Sequence, residues 1–107
     1  MGKQPYDRST TASAAVMALK WTSKALSDLV RLHEFLAAVN KLAAAHMVQS
    51  LSAAPLRLIE QPRIGEKLEE FDPREVRRII VGFYEIRYEI TGKAIYVLRL
   101  WHTREDR

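Results

Sequence analysis

The side chains best suited to chemistry in this sequence are arginines in its last third. Four of them fall on three strongly β-prone segments: Arg77, Arg78, Arg87 and Arg99. A guanidinium is a planar fork that binds phosphate or carboxylate groups, so antiparallel pairing of these segments predicts a basic patch on one sheet face. The alternative is that neighbouring acids, Glu75, Glu85 and Glu89, neutralise the arginines as ordinary ion pairs.

A second candidate lies at the end of the last predicted strand. His102 follows Trp101, with Arg99 and Arg104 nearby. A histidine that titrates near neutrality could act as a general acid or base in phosphodiester cleavage, with the arginines stabilising the developing charge. The simpler interpretation is an imidazole packed on Trp101 or bonded to a backbone carbonyl.

Charge along the 107-residue chain supports a partner site in the same region. From Arg74 to Arg107 there are eight basic and five acidic residues, and seven of the eight bases are arginine. Residues 17–73 carry equal numbers of acidic and basic side chains. A polyanion or an acidic protein segment is therefore the expected class of partner.

Composition excludes several other classes of function. The chain has no cysteine and no histidines at ligand spacing, so we expect no metal site and no disulfide. No glycine-rich phosphate loop is present, and no cofactor is expected. The longest apolar stretch, residues 42–51, is too short to span a membrane, and a cytoplasmic location is the default expectation.

Two amphipathic helices are predicted ahead of the arginine-rich segment. Residues 1–16 have the small, polar composition of a flexible tail, which places the domain at 17–107. After a short strand at 18–21, Thr22 can cap a helix that runs to about Val39. Its apolar stripe consists of Leu26, Leu29, Leu32 and Leu36. Asn40 can cap a second helix that runs to Pro62, with Pro55 kinking it or starting its last turn.

The hydrophobic period then changes from helical to alternating. Residues 63–73 are predicted as a connecting loop, and 76–81, 84–90 and 94–101 as strands. A three-residue hairpin loop, 91–93, joins the last two. In the final strand, alternation places Ile95, Val97, Arg99 and Trp101 on one face, and both faces are apolar enough for the strand to be interior. The predicted fold is α+β, in the order β-α-α-β-β-β, with an antiparallel sheet and a helical hairpin packed on one face.

With these elements placed, the sequence resembles the RelE/ParE toxin superfamily of type II toxin–antitoxin modules. The resemblance covers nearly all of the chain from Met17, and its matching segments are Trp21-Thr22, Ala25, Asp28-Leu29, 62–65, YEIRYEI at 84–90 and LRLWHTR at 98–104. Superfamily members occur on plasmids and bacterial chromosomes and share a helical hairpin packed on a sheet. The resemblance therefore implies the same fold as the residue pattern does.

The superfamily has two branches, with different targets. RelE-like members cleave mRNA on the ribosome, and Arg78 and Arg104 match two of their basic positions, which with His102 would form the catalytic set. Glu85, however, stands where an arginine is common, and no tyrosine follows Arg104. The ending resembles ParE-like members, which inhibit DNA gyrase. Gyrase inhibition is thus favoured, ribosome-dependent mRNA cleavage is the alternative, and a non-toxic interaction or nucleic-acid-binding domain is the third hypothesis.

The resemblance also implies partners. The target-binding surface is expected to comprise Arg77, Arg78, Arg87, Arg99, Trp101, His102 and Arg104. A cognate, ParD-like antitoxin is expected to dock on Leu26, Leu29 and Phe35 and to pair its acids with Arg87, giving a hetero-oligomer without membrane attachment.

Overall fold

The fold is an open five-stranded sheet with two helices packed on one face. The computed structural model describes residues 17–105, so the predicted tail at 1–16 lies outside the described residues. The strands are β1 (Ala18–Trp21), β2 (Glu66–Lys67), β3 (Glu75–Val81), β4 (Tyr84–Thr91) and β5 (Ala94–His102). The helices are α1 (Ser23–Ala37) and α2 (Lys41–Ala53), and 3₁₀ turns span Ala54–Ile59 and Glu69–Phe71.

Both predicted helix caps are present. Thr22 Oγ1 accepts a hydrogen bond from the N–H of Ala25 at 3.1 Å, and Asn40 Oδ1 accepts one from Ala43 at 2.9 Å. These bonds satisfy backbone donors that have no partner within the first helical turn. The second helix ends earlier than predicted, at Ala53, because Pro55 cannot donate a backbone hydrogen bond and the chain continues as a 3₁₀ turn.

The sheet order is β1-β5-β4-β3-β2, which confirms the α+β class and the interior position of β5. The sheet is mixed, however, since β1 runs parallel to β5 while the other neighbours are antiparallel. A parallel pair needs a long crossover, and the helical hairpin begins that crossover directly after β1. The α1–α2 hairpin therefore both covers the sheet and starts the connection between its first strand and the rest.

Two predicted loops are shorter or more ordered than expected. The 63–73 segment contains β2, which pairs Glu66 with Arg78 and Lys67 with Arg77. The β4–β5 loop has two residues, Gly92 and Lys93, because Thr91 and Ala94 pair across it. Gly92 has a φ of 58°, a conformation that glycine adopts without a steric penalty.

The core lies between the helices and one face of the sheet, which we call the helix-side face. Its buried members include Ala25, Leu32, Met47, Leu51, Ile86, Tyr88, Ile95, Val97 and Leu100. Leu29 and Leu36 pack against this core, whereas Leu26, which was predicted as part of the stripe, is 49% exposed. Ala25 takes the inner position instead, one residue earlier in the helix.

A register shift in β4–β5 changes which residues of β5 face the core. Tyr88 pairs with Val97, but the preceding Arg87 pairs with Arg99, so β5 contains one extra residue there. Such a bulge interrupts the alternation of side chains. Leu100 therefore joins Ile95 and Val97 in the core, and the predicted grouping of Arg99 and Trp101 with Ile95 and Val97 is wrong.

Candidate functional site: the arginine face and the end of β5

Three of the four predicted sheet arginines share the face opposite the helices, which we call the outer face. Arg78 lies across from Arg87, and Arg87 lies across from Arg99, so the three form a row over β3, β4 and β5. Arg77 pairs across from the core residue Tyr88 and is therefore on the helix-side face. There it donates to the carbonyl of Gly65 at 2.7 Å and to Glu75 at 2.9 Å. The prediction that Arg77 belongs to the same patch is wrong, because adjacent strand residues point to opposite faces.

Carboxylates neutralise the arginines of the outer face. Arg78 contacts Glu66 at 2.9 Å and Glu85 at 3.5 Å, and Arg87 contacts Glu85 at 3.1 Å. The Glu85 side chain is only 1% exposed, so two guanidinium groups cover it from solvent. This arrangement matches the ion-pair interpretation of the sequence, with Glu66 in addition to the expected Glu85.

Aromatic rings hold two of these guanidinium groups in place. The Arg87 guanidinium carbon lies 5.4 Å from the centre of the Phe71 ring and 4.6 Å from the centre of the Trp101 ring. Arg99 lies 4.9 Å from the centre of the Trp101 ring. Arg87 is therefore packed between two aromatic faces, which favours cations through the charge distribution of the rings. The guanidinium groups of the outer face are therefore paired with carboxylates, and those of Arg87 and Arg99 are also packed against aromatic rings.

Asp28 is a site residue that the sequence interpretation did not assign. Its carboxylate accepts hydrogen bonds from Arg99 at 2.8 Å, from the N–H of Leu100 at 2.9 Å and from Arg31 at 3.0 Å. Arg31 also donates to the carbonyl of Leu100 at 3.2 Å. An available signal was its position, three residues after Ala25 and four before Leu32, on the buried stripe of α1.

Burial and hydrogen bonding act in opposite directions on Asp28. Burial on its own would raise the pKa of this carboxyl group, but hydrogen bonds from Arg99, the Leu100 N–H and Arg31 together hold the pKa below its usual 3.8. Asp28 is therefore ionised at neutral pH and ties α1 to β5. The hydrogen bond from Arg99 to Asp28 also fixes the orientation of Arg99, which lies at the β5 end of the arginine row.

His102 lies at the end of β5 on the helix-side face, across from Tyr84. Its ring makes an edge contact with Tyr84 at 5.2 Å and stacks on Phe83 at 6.2 Å, between ring centres. The backbone N–H of Arg104 donates to its Nδ1 at 3.1 Å. The predicted packing on Trp101 is wrong, since Trp101 points to the outer face. His102 is instead a ring packed between Phe83 and Tyr84, with Nδ1 already engaged.

A cavity of about 510 Å³ lies next to His102, between α1 and the end of β5. We call it the α1–β5 cavity, and its lining residues are Arg31, Leu32, Phe35, Leu36, Tyr84, His102, Arg104 and Glu105. Glu105 forms an ion pair with Arg31 and accepts the N–H of His102 at 3.1 Å. Burial, and secondarily the charge of Glu105, raise the pKa of Tyr84, which keeps its hydroxyl protonated. The cavity is therefore an apolar recess with charged groups at its edge.

The residues proposed for catalysis do not converge. Arg78 is on the outer face of β3, whereas His102 is on the helix-side face of β5, with two strands' width and the thickness of the sheet between them. Arg104 lies beside His102, so only this pair of the three is adjacent. Within residues 17–105 no group of three or more His, Asp or Glu side chains could hold a metal ion. None of the helices in this range has the length and apolar character needed to cross a membrane.

The predicted antitoxin seam divides between two sides of α1. Leu26 and Phe35 are nine residues apart, which at 3.6 residues per turn places them about 180° apart around the helix axis. Phe35 lines the α1–β5 cavity, and Leu26 is exposed on the other flank. Leu29 is partly buried against the core. The structure therefore places the three side chains on different sides of α1, and their role in antitoxin binding stays a prediction.

Comparison with known proteins gives consistent relationships. A family described as the ParE toxin of the type II toxin–antitoxin system parDE matches residues 19–107. A protein of Caulobacter vibrioides named Toxin RelE2 is 32% identical over 82 residues, covering 77% of this chain and 90% of that protein. The solved structure titled chromosomal ParDE TA system from P. aeruginosa superposes with a TM-score of 0.71 at 24% identity, covering 82% of this chain and 97% of that one. This last similarity concerns the fold.

Proposed function

Because the chain belongs to the ParE toxin family of type II toxin–antitoxin systems, we propose that it is a toxin that inhibits DNA gyrase by non-covalent binding and is neutralised by a cognate antitoxin. One observation carries the choice of binding over catalysis. The three residues that a ribonuclease mechanism would need are separated. Arg78 lies on the outer face, whereas His102 lies on the helix-side face at the end of β5, with Arg104 beside it. General acid–base catalysis requires the catalytic group and the charge-stabilising groups around one reacting centre.

The composition of the outer face supports a protein as the target. Arg78 and Arg99 side chains are each 35% exposed, and each is held by a carboxylate. A phosphate clamp needs guanidinium groups whose charge is available, whereas a protein interface favours rigid Arg and Trp side chains that lose little entropy on binding. We therefore assign the target-binding surface to the outer face, with Arg78, Arg87 and Arg99 at its centre beside Trp101.

A supercoiling assay with the purified chain and purified gyrase tests the proposal. Increasing amounts of the chain are expected to reduce supercoiling of relaxed plasmid, with no cleavage of mRNA on purified ribosomes. Unchanged supercoiling at a large molar excess of the chain would overturn it. Induction of the gene in bacteria gives the control for a non-toxic domain, which would leave growth unaffected.

Ribosome-dependent mRNA cleavage is the second candidate, because the relative from Caulobacter vibrioides carries the name RelE2. This mechanism predicts transcript cleavage in the presence of ribosomes. It also predicts that His102→Ala or Arg104→Ala abolishes cleavage, since these are the adjacent pair at the end of β5. Cleavage that persists in both variants would remove these residues from the mechanism.

A further inference from the structure

Among the arginines from Arg74 to Arg104, the one that is open to a partner lies at the α1–β5 cavity and not on the sheet. Arg74, Arg77, Arg78, Arg87 and Arg99 each form an ion pair or a charged hydrogen bond to a carboxylate. Arg104 lines the cavity and is exposed, and no carboxylate among residues 17–105 pairs with its guanidinium. An anionic group that approaches Arg104 therefore displaces no ion pair formed within residues 17–105.

The cavity combines this cation with an extensive apolar surface. Its apolar and aromatic lining includes Leu32 and Leu36 from α1 and the rings of Tyr84 and His102. Phe35 at its edge is 79% exposed, and Phe83, which stacks on His102, is 69% exposed. Large exposed aromatic residues around a recess are typical of a surface that a partner covers. Because exposed aromatic rings lie both in the cavity lining (Phe35) and beside it (Phe83), a polypeptide segment fits it better than a small molecule.

We propose that the α1–β5 cavity receives an apolar side chain from an acidic amphipathic segment of a partner protein, and that a carboxylate of the same segment binds Arg104. The inference rests on the proposed function, in which that partner is the neutralising antitoxin. An apolar residue and an acid three or four positions apart in a helix project from the same side. One turn of helix can therefore fill the recess and reach its cationic edge.

Glu105 acts as an internal competitor at this site. Its carboxylate holds Arg31 at the same cavity, so the chain supplies an anion where the partner would otherwise find a guanidinium paired only with Asp28. Its negative charge also opposes an incoming carboxylate. Replacing Glu105 with glutamine keeps an acceptor for the N–H of His102, removes the charge and leaves Arg31 paired only with Asp28.

A neutralisation assay with two exposed α1 residues tests the apolar part. Phe35→Ala removes a cavity residue, and Val30→Ala, at another exposed position of α1 that does not line the cavity, is the matched control. Each variant is induced with and without the cognate antitoxin, identified as the product of the neighbouring reading frame that co-purifies with the wild-type chain. Phe35→Ala is expected to arrest growth despite the antitoxin, and Val30→Ala to be neutralised like the wild type. If the antitoxin neutralises both variants equally, or if both arrest growth equally in its presence, the assignment to the cavity is overturned.

Calorimetric titration of the purified antitoxin tests the charged part and does not depend on toxicity. Arg104→Glu is expected to weaken binding about tenfold or more, since reversing a charge in a hydrogen-bonded pair costs at least that much. Lys93→Glu makes the same change in net charge at the opposite end of β5 and is expected to remain within about twofold. Glu105→Gln is expected to bind about threefold more tightly. Affinity that falls equally for Arg104→Glu and Lys93→Glu would indicate long-range charge only and would overturn the inference.

The two proposals can fail separately. If the wild-type chain leaves gyrase and growth unaffected but binds the antitoxin with the expected dependence on Phe35 and Arg104, gyrase inhibition is wrong and the cavity assignment stands. If gyrase is inhibited and the antitoxin binds all variants alike, the cavity assignment is wrong and the gyrase proposal stands.

Discussion

The carboxylate of Asp28 in α1 accepts the backbone N–H of Leu100 in β5 at 2.9 Å, at a point where β1 no longer runs beside β5. β1 pairs with β5 only from Ala94 to Val97, so the N–H of Leu100 has no strand neighbour on that side. An acid on the first helix therefore replaces a missing strand partner. The same acid holds Arg99, and so links the edge of the sheet to the outer face.

We expect Asp28→Ala to lower the free energy of unfolding by about 2–3 kcal/mol. The change leaves the buried N–H of Leu100 without an acceptor and removes the partner of two arginines that are partly exposed and therefore partly screened. Urea denaturation measures the effect. Glu34→Ala, at an exposed position of the same helix, is the control and should change stability by less than about 0.5 kcal/mol. Equal losses in the two variants would contradict the assigned role.

The stabilisation by Asp28 should depend on pH in a defined direction. Since the pKa of Asp28 is lower in the folded chain than its ordinary 3.8, the contribution is present above that value and is lost as the pH falls through the folded pKa. The stability difference between the wild type and Asp28→Asn should therefore shrink at acid pH. Denaturation at pH 7 and in a series below pH 4 measures it. A difference that grows on acidification would show that the carboxylate is not the stabilising form.

We expect Gly65→Ala to destabilise the fold by about 1–3 kcal/mol through overpacking. A Cβ at this position would lie 2.6 Å from both the carbonyl oxygen of Arg78 and the hydroxyl oxygen of Tyr88. The Tyr88 hydroxyl cannot move easily, because it accepts the N–H of Gly65 and donates to the carbonyl of Pro62. Thermal unfolding checks the prediction, with Ser52→Ala at an exposed α2 position as control. An unchanged melting temperature for Gly65→Ala would show that this loop can relax.

The outer face should be more sensitive to charge reversal than the helical side. We expect Arg78→Glu to raise the concentration needed for half-inhibition of gyrase supercoiling about tenfold, because it places three acids together at the proposed target surface. Arg57→Glu, at an exposed position of the first 3₁₀ turn, gives the same change in net charge and should have little effect. Circular dichroism of both variants separates loss of binding from loss of fold. Equal inhibition by the two variants would place the target surface elsewhere.

Local patterns were sufficient to predict most of the fold. The caps at Thr22 and Asn40, the helical spacing and the alternation in β4 are local signals, and the structure confirms the elements that they predict. The opposite directions of Arg77 and Arg78 were also available from the alternation in β3. Their separation onto two faces is a consequence of sequence adjacency alone.

The rest depends on contacts between distant segments. An uninterrupted register would place Leu98 opposite Arg87, and only the bulge brings Arg99 there. The bulge occurs where β1 ends and Thr22 donates to the carbonyls of Val97 and Leu98, 75 and 76 residues away in sequence. The α1–β5 cavity likewise forms only because α1 and the segment after β5 come together in the folded chain. Periodicity within one segment carries no information about such pairings.

The side-chain bonds along β5 have a consequence for association. Asp28 and Arg31 occupy the N–H and C=O of Leu100, and Glu105 occupies both the N–H and, through its own backbone N–H, the C=O of His102. An unpaired strand edge is a template for adding a strand from another chain, and this part of the edge has no backbone groups left to offer. The strands at the two margins of the sheet are short, with four residues in β1 and two in β2. Three side chains and one backbone N–H therefore protect the exposed edge of β5, the longest strand among residues 17–105, from edge-to-edge aggregation.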